Sequence, residues 1–346
     1  MTSKQRVLDL FAGGHPFPLP VFSGMGSVTI HGLAGLGVPF PRLHADAVVM
    51  CEAALSTWRL FGFESVVMPF DVGVEAEALG HALNLYENAP GEILYPTVRR
   101  KAEAKAENLA VPADLEQRGR MPVVAEAIRL ARRAAGDAVA VGAYVLAPFT
   151  LAGQALELDQ LLKLAGKNQG ELHAVLERAA EVTVRTARLY RRAGADFLTI
   201  REDGASTDIL SPRMFRVLIQ PHLRRVFAAL DGPTVLNISG GTQTIVEAMA
   251  DCGATAVSVD QKNDLAASRL TLGPGKLLFG NLDPAGLLAA GSPAVVRDGV
   301  RRCILEGADA VWPGSDLWPG TPAENLRAMV AAARETQPLR TEYWRR

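Results

Sequence analysis

Eight short apolar runs, nearly all separated by helical periodicity, constrain this chain more than any other feature. They begin near Phe17, Ser65, Ala138, Asp196, Thr234, Ala254, Lys276 and Asp309. Runs rich in β-branched residues that alternate with amphipathic helices predict a parallel sheet buried on both faces. Eight such units predict closure into an α/β fold of the (β/α)8 TIM-barrel type. The alternative is an open doubly wound sheet, and no G-x-G-x-x-G follows any of the runs to support it. The expected organisation is a single barrel domain over residues 1–346. It begins with an N-terminal helix, Thr2 to Phe11, that Ser3 is placed to cap. The segment from about 84 to 121 is rich in Glu, Lys, Arg, Ala and Pro and lacks a clean buried strand. It reads as an excursion near the barrel mouth.

The run Thr234-Val-Leu-Asn237-Ile ends in Ser239-Gly240-Gly241-Thr242. A strand that finishes in small polar groups and bare backbone delivers them to one spot, and in such barrels that end faces the active site. Other strand ends supply further candidates: Asp71, Tyr144, the adjacent pair Glu202 and Asp203, Asp260 and Asn281. Asn237, Asp203 and Glu202 are the expected catalytic groups, because an amide and two carboxylates can position a polar ring and manage its protons. Asp71, Tyr144, Ser239, Asp260 and Asn281 are expected to bind substrate. Each also has a bland reading, as a cap, a turn residue or packing.

The formal charge is −1 and no basic stripe occurs, so no nucleic-acid partner is expected. No stretch is long and apolar enough to predict a membrane span. Three scattered cysteines, and an N-terminus without the apolar run of a signal peptide, predict a cytoplasmic protein without disulfides. The histidines at 15, 31, 44, 81, 173 and 222 have no metal-ligand spacing. The sequence leaves open whether the chain forms a homodimer.

Several of these strand ends resemble one family. Phe70-Asp71-Val-Gly-Val-Glu75-Ala-Glu77-Ala-Leu-Gly80 is similar to a segment of methylcobamide:coenzyme M methyltransferases, in the uroporphyrinogen decarboxylase superfamily. Gly142-Ala-Tyr144 to Pro148-Phe-Thr150, Glu202 to Pro212, Gly280-Asn281-Leu-Asp283-Pro284 and Pro313 to Asn325 resemble the rest of its pattern. The resemblance implies a (β/α)8 barrel and corrinoid-dependent methyl transfer, with a methylcobalamin-type cofactor carried by a partner corrinoid protein.

Two departures matter. Porphyrinogen decarboxylases carry an arginine-rich segment after the first strand, whereas here no arginine lies between Arg6 and Arg42. The coenzyme M enzymes hold zinc with His-x-Cys after the fifth strand and a Cys after the last. Here those positions are Asn237, Ser239 and Ser315. Amide and hydroxyl are poor zinc ligands beside imidazole and thiolate, so no metal site is expected and Ser315 joins the substrate-binding candidates. Without a metal to make a thiolate, the expected acceptor is tetrahydrofolate, whose ring nitrogen already carries an electron pair. A zinc-type transfer to a thiol such as coenzyme M and a non-catalytic binding barrel are the alternatives.

Overall fold

The computed structural model describes residues 1–89 and 91–338, so Pro90, within the expected excursion, and Leu339 to Arg346 lie outside the described residues. Seven parallel strands form one sheet: β1 (Ser65–Met68), β4 (Ala140–Leu146), β5 (Phe197–Glu202), β6 (Thr234–Ile238), β7 (Ala256–Val259), β8 (Leu277–Leu282) and β9 (Ala310–Pro313). Between β1 and β4 a separate antiparallel hairpin pairs β2 (Leu83–Asn84) with β3 (Thr97–Val98). Strand order in the sheet follows chain order, β1-β4-β5-β6-β7-β8-β9, as helical crossovers between parallel neighbours require.

The eighth stave is the expected strand Phe17–Phe22, and it is reduced to a bridge at Val21. Val21 pairs in parallel with Val311 of β9. The Val311 amide donates to the Pro20 carbonyl at 3.0 Å, and the Phe22 amide to the Val311 carbonyl at 3.2 Å. On the other side the Glu64 amide donates to the Val21 carbonyl at 2.8 Å, while the Val21 amide donates to the Glu64 carboxylate at 3.1 Å. The ring therefore closes from β9 to β1 through one residue. Pro16, Pro18 and Pro20 have no N–H to give a ladder, which is why a full strand does not form here.

Apolar side chains fill the barrel interior. Phe22, Phe197, Val235, Ala256, Phe279 and Ala310 belong to an apolar cluster that also takes in Val7, Leu10 and Phe11 of the helix Ser3–Phe11. That helix plugs the N-terminal end of the barrel: the Lys4 amide donates to the Ala138 carbonyl, and Lys4 and Arg6 pair with Asp196 and Glu64, just ahead of β5 and β1. Its cap is Thr2, in a reciprocal capping box with Gln5, and not Ser3. Tyr144 and Trp312 stand at the upper edge of the same cluster. Gly24 is obligatory there, because a Cβ would collide with Thr199 Oγ1 and Trp312.

The segment expected as an excursion is tied down rather than loosely solvated. Leu109 and Leu115 are fully buried, and Tyr95 packs edge-on against Phe40 and His44 at centroid distances of 5.1 and 5.7 Å. Arg120, just before the helix Met121–Ala135, reaches back to Asp71 and Glu77. No helix among the described residues is long and apolar enough to cross a membrane.

Candidate functional site

The C-terminal ends of the parallel strands gather one set of polar side chains at the barrel mouth and send another into the scaffold. Alternation within each strand decides which. In β5, Phe197 belongs to the inner cluster, so Thr199 and Arg201 share its inward face and Glu202 does not. In β6 the same parity turns Val235 and Asn237 inward.

Asn237 is fully buried, in register with Arg201 on one side and Ser258 on the other. Its Nδ2 donates to Ser258 Oγ at 3.1 Å, and its Oδ1 has no partner among the described residues. Tyr144 OH, Thr199 Oγ1 and Trp312 Nε1 are likewise buried without a partner among the described residues. Unpaired buried polar groups are rare enough to mark a place for water or ligand. Above Tyr144 lies Arg201, its guanidinium carbon 5.5 Å from the ring centroid. Arg201 Nε donates to Asp203 Oδ2 at 2.6 Å, and Nη1 stands 2.6 Å from Asp316 Oδ2. Ser239 Oγ donates to Asp203 Oδ1 at 2.9 Å, and the Gly26 amide to Asp316 Oδ1 at 2.8 Å. Ser315, half-buried, sits beside Asp316.

The structure thus brings Asn237, Asp203, Ser239, Tyr144 and Ser315 to one mouth. It uses the remaining candidates elsewhere. Glu202 accepts from the amides of Phe149, Thr150 and Gly204, at 3.2, 3.4 and 3.1 Å, and from Thr150 Oγ1. Burial pushes its carboxyl up to about 7, yet every contact is a donor that favours the charged form. A carboxyl saturated in this way holds the start of the helix Pro148–Ala155 and has no lone pair directed at the mouth. Asp71 is also fully engaged: Arg120 binds both oxygens at 2.6 and 3.0 Å, His44 Nδ1 stands 3.0 Å away, and the Gly73 amide donates at 2.9 Å. Asp260 accepts from the amides of Gly240 and Lys262 and so shapes the loop after β6. Asn281 Nδ2 donates to the carbonyls of Asp260 and Asn263, at 3.2 and 2.8 Å, and locks neighbouring loops together.

Arg201 and Asp316 were not among the sequence candidates. The signal for Arg201 is parity, since a charged residue two places beyond Thr199 on the inward face has to find partners inside the barrel. Nothing local marks Asp316, whose partner lies in a distant strand. Away from the mouth, His173 and His222 meet at 2.9 Å between ring nitrogens, and burial pushes His222 down to about 4.

The zinc that the resemblance implies does not fit these residues. Asn237 offers only a neutral amide oxygen, the Ser239 hydroxyl is already bonded to Asp203, and Ser315 adds only a second hydroxyl. Among the described residues no group of three or more His, Cys, Asp or Glu is arranged to hold a metal ion.

Comparison with known proteins extends over nearly the whole chain. The chain is 31% identical over 336 residues to the methylcobamide:CoM methyltransferase MtaA of Methanosarcina barkeri, covering 96% of this chain and 98% of that protein. A uroporphyrinogen decarboxylase of Rhodococcus jostii is 30% identical over 278 residues, covering 78% of this chain and 75% of that one. A methyltransferase structure from Methanosarcina mazei superposes with a TM-score of 0.92 at 31% identity, over 97% of this chain and 99% of that chain. The uroporphyrinogen decarboxylase (URO-D) profile matches residues 2–336, and the chain belongs to that family.

Proposed function

We propose that this protein transfers a methyl group from a methylcobamide, presented at the barrel mouth by a separate corrinoid protein, to a small acceptor held there. The observation that carries this reading is the end-to-end likeness to a methylcobamide:CoM methyltransferase, 96% of one chain against 98% of the other. The likeness to a decarboxylase is shorter, and the chain has no arginine between Arg6 and Arg42 to grip a polycarboxylate. The mouth supports the reading chemically. Displacement of the methyl group requires an acceptor electron pair aligned with the methyl carbon, and this demands positioning more than proton transfer. Trp318, 57% exposed, follows β9 beside Ile30, whose amide donates to the Pro319 carbonyl, and gives the rim an apolar resting place for a flat macrocycle.

The acceptor favoured by the relatives' names is coenzyme M or a thiol like it. Tetrahydrofolate is the second reading, favoured by the neutral set Asn237, Ser239 and Ser315 in place of thiolate-forming metal ligands. In that reading Asn237 Oδ1, which has no partner among the described residues, accepts from a ring N–H. One experiment separates them: methylcobalamin is mixed with the protein and either coenzyme M, homocysteine or tetrahydrofolate, and the corrinoid spectrum is followed. Turnover with thiols alone supports the first acceptor, and turnover with tetrahydrofolate alone supports the second. No turnover with any acceptor, even with the native corrinoid protein added, rejects methyl transfer.

A further inference from the structure

We propose that Arg201 is a strut across the barrel mouth, a positioning residue that fixes the floor on which the acceptor rests and does so without a metal. The proposal rests on the methyl-transfer reading for its catalytic consequence, while the strut itself rests on geometry. In the closed ring the order runs first stave, β1, β4, β5, β6, β7, β8, β9. β5 and β9 are four places apart in either direction, so they stand on opposite sides. Arg201 leaves β5 and pairs with Asp316 beyond β9 at 2.6 Å, and therefore crosses the mouth. At the near end Asp203 and Ser239 bind it to the tip of β6, and at the far end Asp316 is bound to Gly26 in the loop after the first stave. Five groups in series join four strand ends.

Position and charge both distinguish this chain of contacts from an ordinary surface pair. The Arg201 side chain keeps 12% of its surface accessible, against 30% and 34% for Asp203 and Asp316. A buried ion pair adds little net stability compared with apolar packing of the same volume, so its presence points to a fixed geometry rather than to a tighter core. An apolar cluster below already packs the barrel interior. The planar guanidinium suits the task because it donates along two fixed directions at once, which an ammonium cannot. Below it lie Tyr144, Thr199 and Trp312 with unpaired polar atoms. The strut thus sets the depth to which an acceptor descends beside Asn237 and Ser239. Those positions, with Ser315, are the ones where the resemblance puts a metal, so the strut fastens together the strand ends that a metal would otherwise join.

The test uses the full-length protein and the variants Arg201→Ala, Arg201→Lys and Asp316→Asn. Arg201→Ala leaves two carboxylates facing a guanidinium-shaped space. Low-millimolar guanidinium is therefore expected to raise its Tm above that given by sodium chloride of equal ionic strength, with no such difference for the wild type or for Arg201→Ala/Asp316→Asn. In transfer from methylcobalamin, Arg201→Ala is expected to lower kcat/KM for the acceptor about 100-fold, with KM for methylcobalamin unchanged and partial rescue by guanidinium or by Arg201→Lys. Zinc content of the purified wild type is expected to be well below one per chain. A variant without guanidinium-specific stabilisation, or one zinc per chain retained by the wild type, overturns the strut. If Arg201→Ala does not fold, Asp316→Asn and Arg201→Lys decide the same point through KM for the acceptor, and wild-type values in both overturn it. Absence of methyl transfer in the wild type rejects the proposed function and leaves the thermal experiment to judge the strut.

Discussion

Replacing Arg120 by Met tests whether the segment between β1 and β4 is built into the barrel by one buried charge network. Arg120 binds Asp71 through two nitrogens at 2.6 and 3.0 Å, Glu77 through Nε at 2.7 Å, and the His44 carbonyl through Nη1 at 3.3 Å. The Asp71 side chain has no exposed surface, and that of Arg120 is 6% exposed. Burial by itself raises the Asp71 pKa. The His44 hydrogen bond and the Arg120 charge more than reverse this, and Asp71 is held well below the usual carboxylate range. Arg120→Met keeps the apolar stem but strands a charge that has only His44 and the Gly73 amide left. Removing one partner of a buried pair costs about 3–5 kcal/mol, whereas removing both is often nearly neutral. Arg120→Met is therefore expected to lose that amount in urea unfolding followed by circular dichroism, and Asp71→Asn/Arg120→Met to recover most of it. Because the folded-state pKa of Asp71 is depressed, the wild-type advantage is complete above about pH 4 and is lost as pH falls below the unfolded value. A loss below about 1 kcal/mol for Arg120→Met, the size expected of exposed pairs, would refute the buried-network argument. So would a double variant less stable than the single one.

Three further outcomes follow from the same geometry. Glu75 is buried, accepts from the Leu146 amide at 3.1 Å, and burial pushes its carboxyl up to about 7. A raised folded-state pKa makes stability fall as pH rises from about 4.5 to 7, by about 1.4 kcal/mol per pH unit, so Glu75→Gln should flatten the urea midpoint over that window, and an unchanged slope would contradict it. Gly24→Ala should cost about 1–3 kcal/mol in urea unfolding, because neither Thr199 nor Trp312, both fully buried, has room to move. Asn237→Ala should lower kcat/KM for methyl transfer by about 10- to 1000-fold while far-ultraviolet circular dichroism stays that of the wild type, and equal rates would remove Asn237 from the site.

The barrel was legible because its signal is periodic and local. Ser65 and Thr234 open β1 and β6 as expected, and the other expected starts precede the observed strands by one or two residues. The first stave has the apolar content of a strand, but its prolines remove donors a full ladder needs and leave only the Val21 bridge. The site was less legible, for two physical reasons. A polar residue at a strand end has two faces to choose from, and neighbouring positions choose oppositely. The run Arg201-Glu202-Asp203 shows this: Arg201 enters the barrel, Glu202 turns out to the amides around Thr150, and Asp203 returns to hold Arg201. Read without parity, the two acids look like a matched catalytic pair. The second reason is that partners distant in sequence decide whether a charge is free. Asp71 has the composition and placement of a ligand-binding carboxylate. Only Arg120, brought back by the segment after the hairpin, shows that its oxygens are already committed.

The same logic ranks the mouth residues by what their neighbours leave available. Asp203 and Asp316 each give one oxygen to Arg201 and the other to Ser239 or to the Gly26 amide. Asp203, Arg201 and Asp316 together carry one net negative charge. Such a group offers a second anion little attraction, because the guanidinium is already matched on two edges by carboxylates. Asn237 is different: its amide nitrogen is satisfied by Ser258, and its oxygen, buried on the inward face, is not. An uncommitted acceptor beside the matched Asp203–Arg201–Asp316 group is a place where an N–H or O–H of a bound molecule gains, since nothing has to be broken to receive it. Charge at the mouth and the free acceptor at Asn237 therefore favour a neutral, donor-bearing acceptor group, while the names of the relatives favour a thiol. Comparing coenzyme M with tetrahydrofolate sets these two arguments against each other, and Asn237→Ala shows whether the free oxygen is the reason for the winner. If the amide oxygen receives a ring N–H, the variant loses tetrahydrofolate turnover and keeps whatever thiol turnover exists. Equal losses with both acceptors would mean that Asn237 shapes the mouth without contacting either.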